Sequence, residues 1–224
     1  MKTLKANWNT PRKTAVTAGV LYLLTFVSIP TISLYHALHQ PDYILTPGSD
    51  TSAIIGGLLE IIVALSCVAS AIALYPVLKK QNESLALALV ASRVLEASTI
   101  FIAVAFILAA VSLHQQAAKQ ADPSSHTLII LYDRAFLLGQ SFMPAINDAL
   151  LGYLLYRSRL VPRTLSMIGI IGVFPLLAGY LAIVFGIVSR DSIWAGLSAI
   201  LVALFELALG IYLIAKGFIK SSMK

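Results

Sequence analysis

Long apolar runs separated by short polar ones dominate the chain. Six stand out, at about 14–37, 52–78, 84–113, 126–156, 164–189 and 192–216. Each exceeds the roughly 20 residues that a helix needs to cross the hydrocarbon core of a bilayer. The apolar residues are continuous within each run, not alternating, which excludes the strands of a membrane β-barrel. Lipid offers no hydrogen-bond partner to an open backbone, so each span must be a helix. The pattern predicts an all-α fold, a polytopic membrane protein with a bundle of six transmembrane helices in a single domain, 1–224. Turn-forming residues punctuate the connections: Pro41, Pro47 and Gly48, then Asn82, then Pro123 with Ser124 and Ser125, then Pro162. Pro30, Pro144 and Pro175 fall inside spans, where neighbouring helices can satisfy a freed carbonyl. Small residues at Gly56, Gly57, Gly152, Gly169, Gly172, Gly179 and Gly186 predict close helix packing.

Composition sharpens this picture. Of 224 residues, 58% are hydrophobic and 12% charged, against about 25% charged in a soluble domain. No length is left over for a separate soluble domain. The net charge of +6 does not point to nucleic acid, because the basic residues sit in short segments beside the spans. Twelve Lys and Arg fall on one side, in the N-terminal segment, the turns near Lys79 and Arg157, and the C-terminal segment. The other side holds Lys119 and Arg190. This bias predicts that both termini are cytoplasmic. The run from Ala15 to Tyr35 is too long for a signal-peptide core and is expected to stay as the first helix. Cys67 is the only cysteine, so no intrachain disulfide forms.

Charges inside the apolar runs are the unusual feature. Glu60 lies in the second span, Arg93 and Glu96 in the third, Asp133, Arg134 and Asp148 in the fourth, and Glu206 in the sixth. A charge at the bilayer centre costs on the order of 3 kcal/mol, so such groups face the bundle interior and pair. At about 1.5 Å per residue, Glu60 and Arg134 lie roughly 7 and 10 Å outward of their midpoints, and Arg93 and Asp148 as far inward. Two layers are expected: Glu60 with Arg134 on the outer side, Arg93 with Asp148 on the inner side, and Glu96 able to join either. Glu206 has no cation at its own depth and is the candidate proton carrier. In the fourth span Asp133, Gln140 and Asn147 are spaced by seven, as are Arg134, Ser141 and Asp148. Seven residues make nearly two turns, so these six predict a two-column polar stripe down one face.

The four histidines, His36, His39, His114 and His126, all map to the outward side. They are candidates for a metal site with Asp42, Asp50 and Asp122, or for a haem held by His36 and His114. No histidine lies at depth, which argues against intramembrane zinc hydrolases and a buried Ser–His pair. No Walker loop, dinucleotide fingerprint, His-Glu-x-x-His or Gly-x-Ser-x-Gly occurs. No cofactor is predicted.

Several short motifs carry a resemblance. They are Arg12 with Ala18-Gly19-Val20-Leu21-Tyr22, then Glu60, Leu74-Tyr75-Pro76, Ala91-Ser92-Arg93-Val94-Leu95-Glu96, and Leu154 through Arg163. With these the chain resembles the bacterial membrane proteins of the domain of unknown function family 4386, over nearly its whole length. The resemblance implies a bacterial inner-membrane location and supplies no activity, substrate or cofactor.

Three functions follow as expectations. The first is a small transporter, with a proton or solute path past Arg134, Gln140, Ser141, Asn147 and Asp148 and a carrier at Glu206 or Glu60. Six spans are few for such a protein, so a homodimer is expected. The second is a non-catalytic accessory or regulatory subunit whose ion pairs are structural and whose partner is another membrane protein. The third is a membrane enzyme acting on a lipid-like substrate, with Glu60, Glu96 or Asp148 as acid–base groups.

Overall fold

The computed structural model describes residues 11–40, 43, 49–116 and 124–219. Pro41, Asp42, Pro47, Gly48, Lys119, Asp122, Pro123 and the basic residues Lys2, Lys5, Lys220 and Lys224 lie outside the described residues. Among the described residues the chain is helical without strands. Its helices are α1 (Pro11–Leu24), α2 (Thr31–Leu34), α3 (Thr51–Leu78), α4 (Glu83–Gln116), α5 (Ser124–Leu137), α6 (Met143–Ser158), α7 (Arg163–Val184) and α8 (Ile193–Ala215). Five stretches are long and apolar enough to cross a membrane: Pro11–Leu34, Thr51–Leu78, Glu83–Gln116, Arg163–Val184 and Ile193–Ala215. The chain is a multi-pass membrane protein. Large apolar side chains such as Phe174, Leu204 and Ile211 are exposed on the outside of the bundle, as a lipid solvent requires.

Two of the expected spans are not regular helices. The first is α1, a 3₁₀ turn over Thr25–Ser28, and α2 behind Pro30. The fourth is α5, a π-helical turn over Leu138–Phe142, and α6. Pro144 explains the second break. It has no N–H for the carbonyl of Gln140, and its ring crowds that carbonyl, so the turn before it widens.

The helices close into a ring. α3 packs on α1 and α4, α4 on α5 and α6, α6 on α7, α7 on α8, and α8 returns to α1. The closing seam depends on two glycines. A Cβ on Gly19 would lie 2.6 Å from the carbonyl oxygen of Gly210, so only glycine lets α1 and α8 approach this closely. Gly186, expected at a packing surface, has open space around it and φ of +71°. Its role is to turn the chain out of α7, where a left-handed residue commonly ends a helix.

Helix ends follow their sequence signals. Asn82 Oδ1 accepts from the backbone N–H of Leu85 at the start of α4, and Ser192 Oγ from that of Ala195 at the start of α8. The start of α1 and the end of α8 meet, with Arg12 donating to the carbonyl of Ile214 at 2.7 Å. Lys79, Lys80, Arg157, Arg159 and Arg163 belong to the turns at that same end, here called the basic end. Its apolar core is built from Tyr22, Leu74, Leu89, Leu151, Leu154, Phe205 and Leu209. The opposite end has its own core of Tyr35, Leu38, Ile107, Ile129 and Tyr132.

Candidate functional site

A deep charge cluster fills the middle of the ring. Arg93, on α4, is 1% exposed. One guanidinium nitrogen donates to Glu96 Oε2 at 2.9 Å and approaches Cys67 Sγ at 3.6 Å. The other donates to Glu206 Oε1 at 2.7 Å and to the Tyr22 hydroxyl at 3.2 Å. The Tyr22 ring also lies 5.3 Å under the guanidinium, close enough for a cation–π contact. One side chain thus ties together α1, α3, α4 and α8. Asn147, on α6, joins the web. Its amide donates to Glu96 Oε2 at 2.8 Å, and its carbonyl accepts from the Ser92 hydroxyl at 2.5 Å.

Asp148 stands beside this web and is fully buried. Neither of its oxygens has a hydrogen-bond partner among the described residues. Glu206, Arg93 and Glu96 all act on it electrostatically. The cluster therefore sets three carboxylates against one guanidinium.

This corrects the pairing expected from depth. Arg93 forms its ion pairs with Glu96 and Glu206, not with Asp148. Glu206, expected to lack a cation, has one. Depth along one helix does not fix these partners, because a guanidinium reaches far from its own Cα and packed helices cross at an angle.

A second cluster lies toward the opposite end. Glu60, on α3, is fully buried. Its Oε1 accepts from the Tyr132 hydroxyl at 2.8 Å and from the Gln140 amide at 3.5 Å. Its Oε2 has no partner among the described residues. The Tyr35 hydroxyl, also buried, faces this carboxylate without a hydrogen bond of ordinary length. Above it Asp133 pairs with Arg190 and, at 3.1 Å, with His39. The Arg190 guanidinium lies 5.7 Å over the Tyr132 ring and 4.4 Å over Phe136. Arg134, the partner expected for Glu60, is exposed and has no ion pair among the described residues.

The two-column stripe on the fourth span is also revised. Asp133, Gln140 and Asn147 each meet a charged partner, namely Arg190, Glu60 and Glu96. The second column splits: Arg134 is exposed, Ser141 half-buried in the π turn, and Asp148 buried. A π turn inserts about one extra residue, which rotates everything after it by roughly 100°. The face that admits Asp148 therefore does not continue to Arg134.

The histidines serve separate contacts. His39 bonds Asp133, and His114 Nδ1 bonds Asp50 at 2.7 Å while its ring stacks on Tyr43 at 4.5 Å. Tyr43 also donates to Asp50 at 2.7 Å. His36 and His126 are exposed. Asp42 and Asp122 lie outside the described residues. Among the described residues no three His, Cys, Asp or Glu are arranged to hold a metal ion.

Sequence reading missed Tyr22, Tyr35, Tyr132, Ser92 and Arg190 as members of these clusters. Tyrosines and serines are common in membrane helices, so their type gave no signal. Arg190 reads as a loop cation in the sequence, yet its guanidinium folds back onto two rings.

No curated protein and no solved structure matches the chain. One family does match, over residues 17–217, a range that contains every side chain of both clusters from Tyr22 to Glu206. The chain belongs to the family described as Domain of unknown function (DUF4386).

Proposed function

We propose that this protein is a small proton-handling permeation protein of the bacterial inner membrane. In this reading α5, the π turn and α6 together form a sixth span, and both termini are cytoplasmic. The excess of Lys and Arg at the basic end supports that orientation.

The observation that carries the reading is Asp148. It is a fully buried carboxylate with neither oxygen bonded, beside a guanidinium already shared by two other carboxylates. Uncompensated charge in a low-dielectric interior is costly. Three carboxylates and one guanidinium balance only with two further positive charges. No three of the described His, Cys, Asp or Glu side chains are arranged to hold a metal ion, and a proton needs only a single oxygen. A cluster that must hold protons in one state can release them in another.

Reconstituted protein with a pH-sensitive dye trapped in the vesicles tests this. An imposed pH gradient should collapse faster with wild-type protein than in empty vesicles. Asp148→Asn should return the rate to background while its unfolding temperature stays near wild type. Equal rates for wild type, Asp148→Asn and empty vesicles would remove the proposal.

The second reading is an accessory subunit whose charges only hold helices together. The four-helix web around Arg93 favours it. A double swap, Arg93→Glu with Glu206→Arg, would then restore stability lost in either single variant, and a membrane partner would co-purify in mild detergent.

A further inference from the structure

The Glu60 cluster has features that the deep proton store does not explain. Side chains from three other elements, Tyr35, Tyr132 and Gln140, gather about the Glu60 carboxylate. Glu60 Oε2 and the Tyr35 hydroxyl oxygen are buried without partners among the described residues. Gln140 uses its amide N–H on Glu60 Oε1 and keeps its carbonyl oxygen as a further acceptor. The π turn that carries Gln140 is a rare feature that concentrates at functional sites. Buried polar groups without partners call for an explanation.

Charge and ring geometry narrow the answer. Glu60 forms no ion pair among the described residues, because Arg190 pairs with Asp133. Arg190 acts on Glu60 only from farther off, so an ionised Glu60 has no cation in direct contact among the described residues. Its walls are aromatic: the Tyr35 and Tyr132 rings meet edge to face at 5.3 Å. The Tyr35 ring lies directly on α3 where Gly56 has no Cβ, one turn before Glu60. The Tyr132 ring already attracts one cation, the Arg190 guanidinium on its face. A lone carboxylate with hydroxyl and amide acceptors gives a divalent metal too few strong ligands. It suits a monovalent cation that donates hydrogen bonds.

We propose that the Glu60 cluster is a binding site for ammonium or a short primary alkylammonium ion. The N–H groups would donate to Glu60 Oε2, the Tyr35 hydroxyl oxygen and the Gln140 carbonyl, and the charge would rest against the two tyrosine rings. The layer formed by His39, Asp133 and Arg190 closes the site toward the end opposite the basic one. As the solute of the proposed path, this ion rests on that reading for its transport, but its binding does not.

Equilibrium binding to the purified full-length protein in detergent tests the site independently of flux. The probes are ammonium and methylammonium chloride, with potassium chloride at equal ionic strength as the control. Potassium matches ammonium in charge and approximate size but has no N–H. Thermal unfolding should shift upward, saturably, with ammonium and methylammonium and not with potassium. Glu60→Gln should abolish the shift, and Tyr35→Phe should weaken the apparent affinity by about tenfold, the worth of one hydrogen bond to a charged group. Tyr35→Phe retains the buried carboxylate and its ring packing, so it serves where Glu60→Gln does not fold. Equal shifts with potassium and ammonium, no shift with either amine, or an undiminished ammonium shift in Tyr35→Phe would overturn the assignment. Loss of flux with retained ammonium binding would refute the path and leave this site standing.

Discussion

Arg93 ties four helices together through one buried guanidinium. Its partners are buried carboxylates, and removing a buried cation leaves them uncompensated. Arg93→Ala is expected to destabilise by about 3–5 kcal/mol. Tyr22→Phe removes a single hydrogen bond and keeps the ring under the guanidinium, so about 1 kcal/mol is expected. Thermal unfolding of the two variants in one detergent compares them. Similar small losses would mean that the Arg93 web contributes little. The residues that bear charge were legible from the sequence, because Glu60, Arg93, Glu96, Asp148 and Glu206 interrupt apolar runs. Their partners were not, since pairing depends on side-chain reach and helix crossing.

At the scale of elements, the fourth span decides how the two clusters relate. Its π turn brings Gln140 to Glu60 and then lets both Asn147 and Asp148 face the interior. Pro144→Ala restores an N–H for the Gln140 carbonyl and removes the ring clash. The expected result is a regular helix through 138–148, seen as slower amide hydrogen exchange in that segment. The register would then rotate Gln140 away from Glu60, so ammonium stabilisation should weaken in the same variant. Unchanged exchange would mean that Pro144 does not cause the turn. The proline is visible in the sequence, but the widened turn before it is not. Widening instead of bending depends on the neighbours: a Cβ on Gly139 would lie 2.6 Å from the Thr99 hydroxyl of α4, so α4 and the turn are in close contact.

At the scale of the whole molecule, the ring places the Arg93 web between elements far apart in sequence. Tyr22 and Glu206 are both bonded to Arg93, and the Gly19–Gly210 seam locks the helices that carry them. The same arrangement gathers the basic turns at one end. Cysteines placed at Lys79 and at Ser189 test the orientation, with Cys67 buried and silent. In intact cells an impermeant maleimide should label Ser189→Cys, and Lys79→Cys only after permeabilisation. The reverse pattern would place the termini outside and invert the proposed direction of access.

The sequence alone determined that the chain is helical, apolar and membrane-embedded, because lipid tolerates few backbone solutions and the length of an apolar run is itself the signal. It determined which charges lie at depth, because their positions within those runs are countable. Tertiary structure decided the partners: Glu206 rather than Asp148 for Arg93, Tyr132 and Gln140 rather than Arg134 for Glu60, and none among the described residues for Asp148. The physical reason is that depth along one helix fixes a single coordinate of a side chain. Rotation about that helix, its crossing with neighbours and the local π turn fix the others, and these arise only when the ring closes.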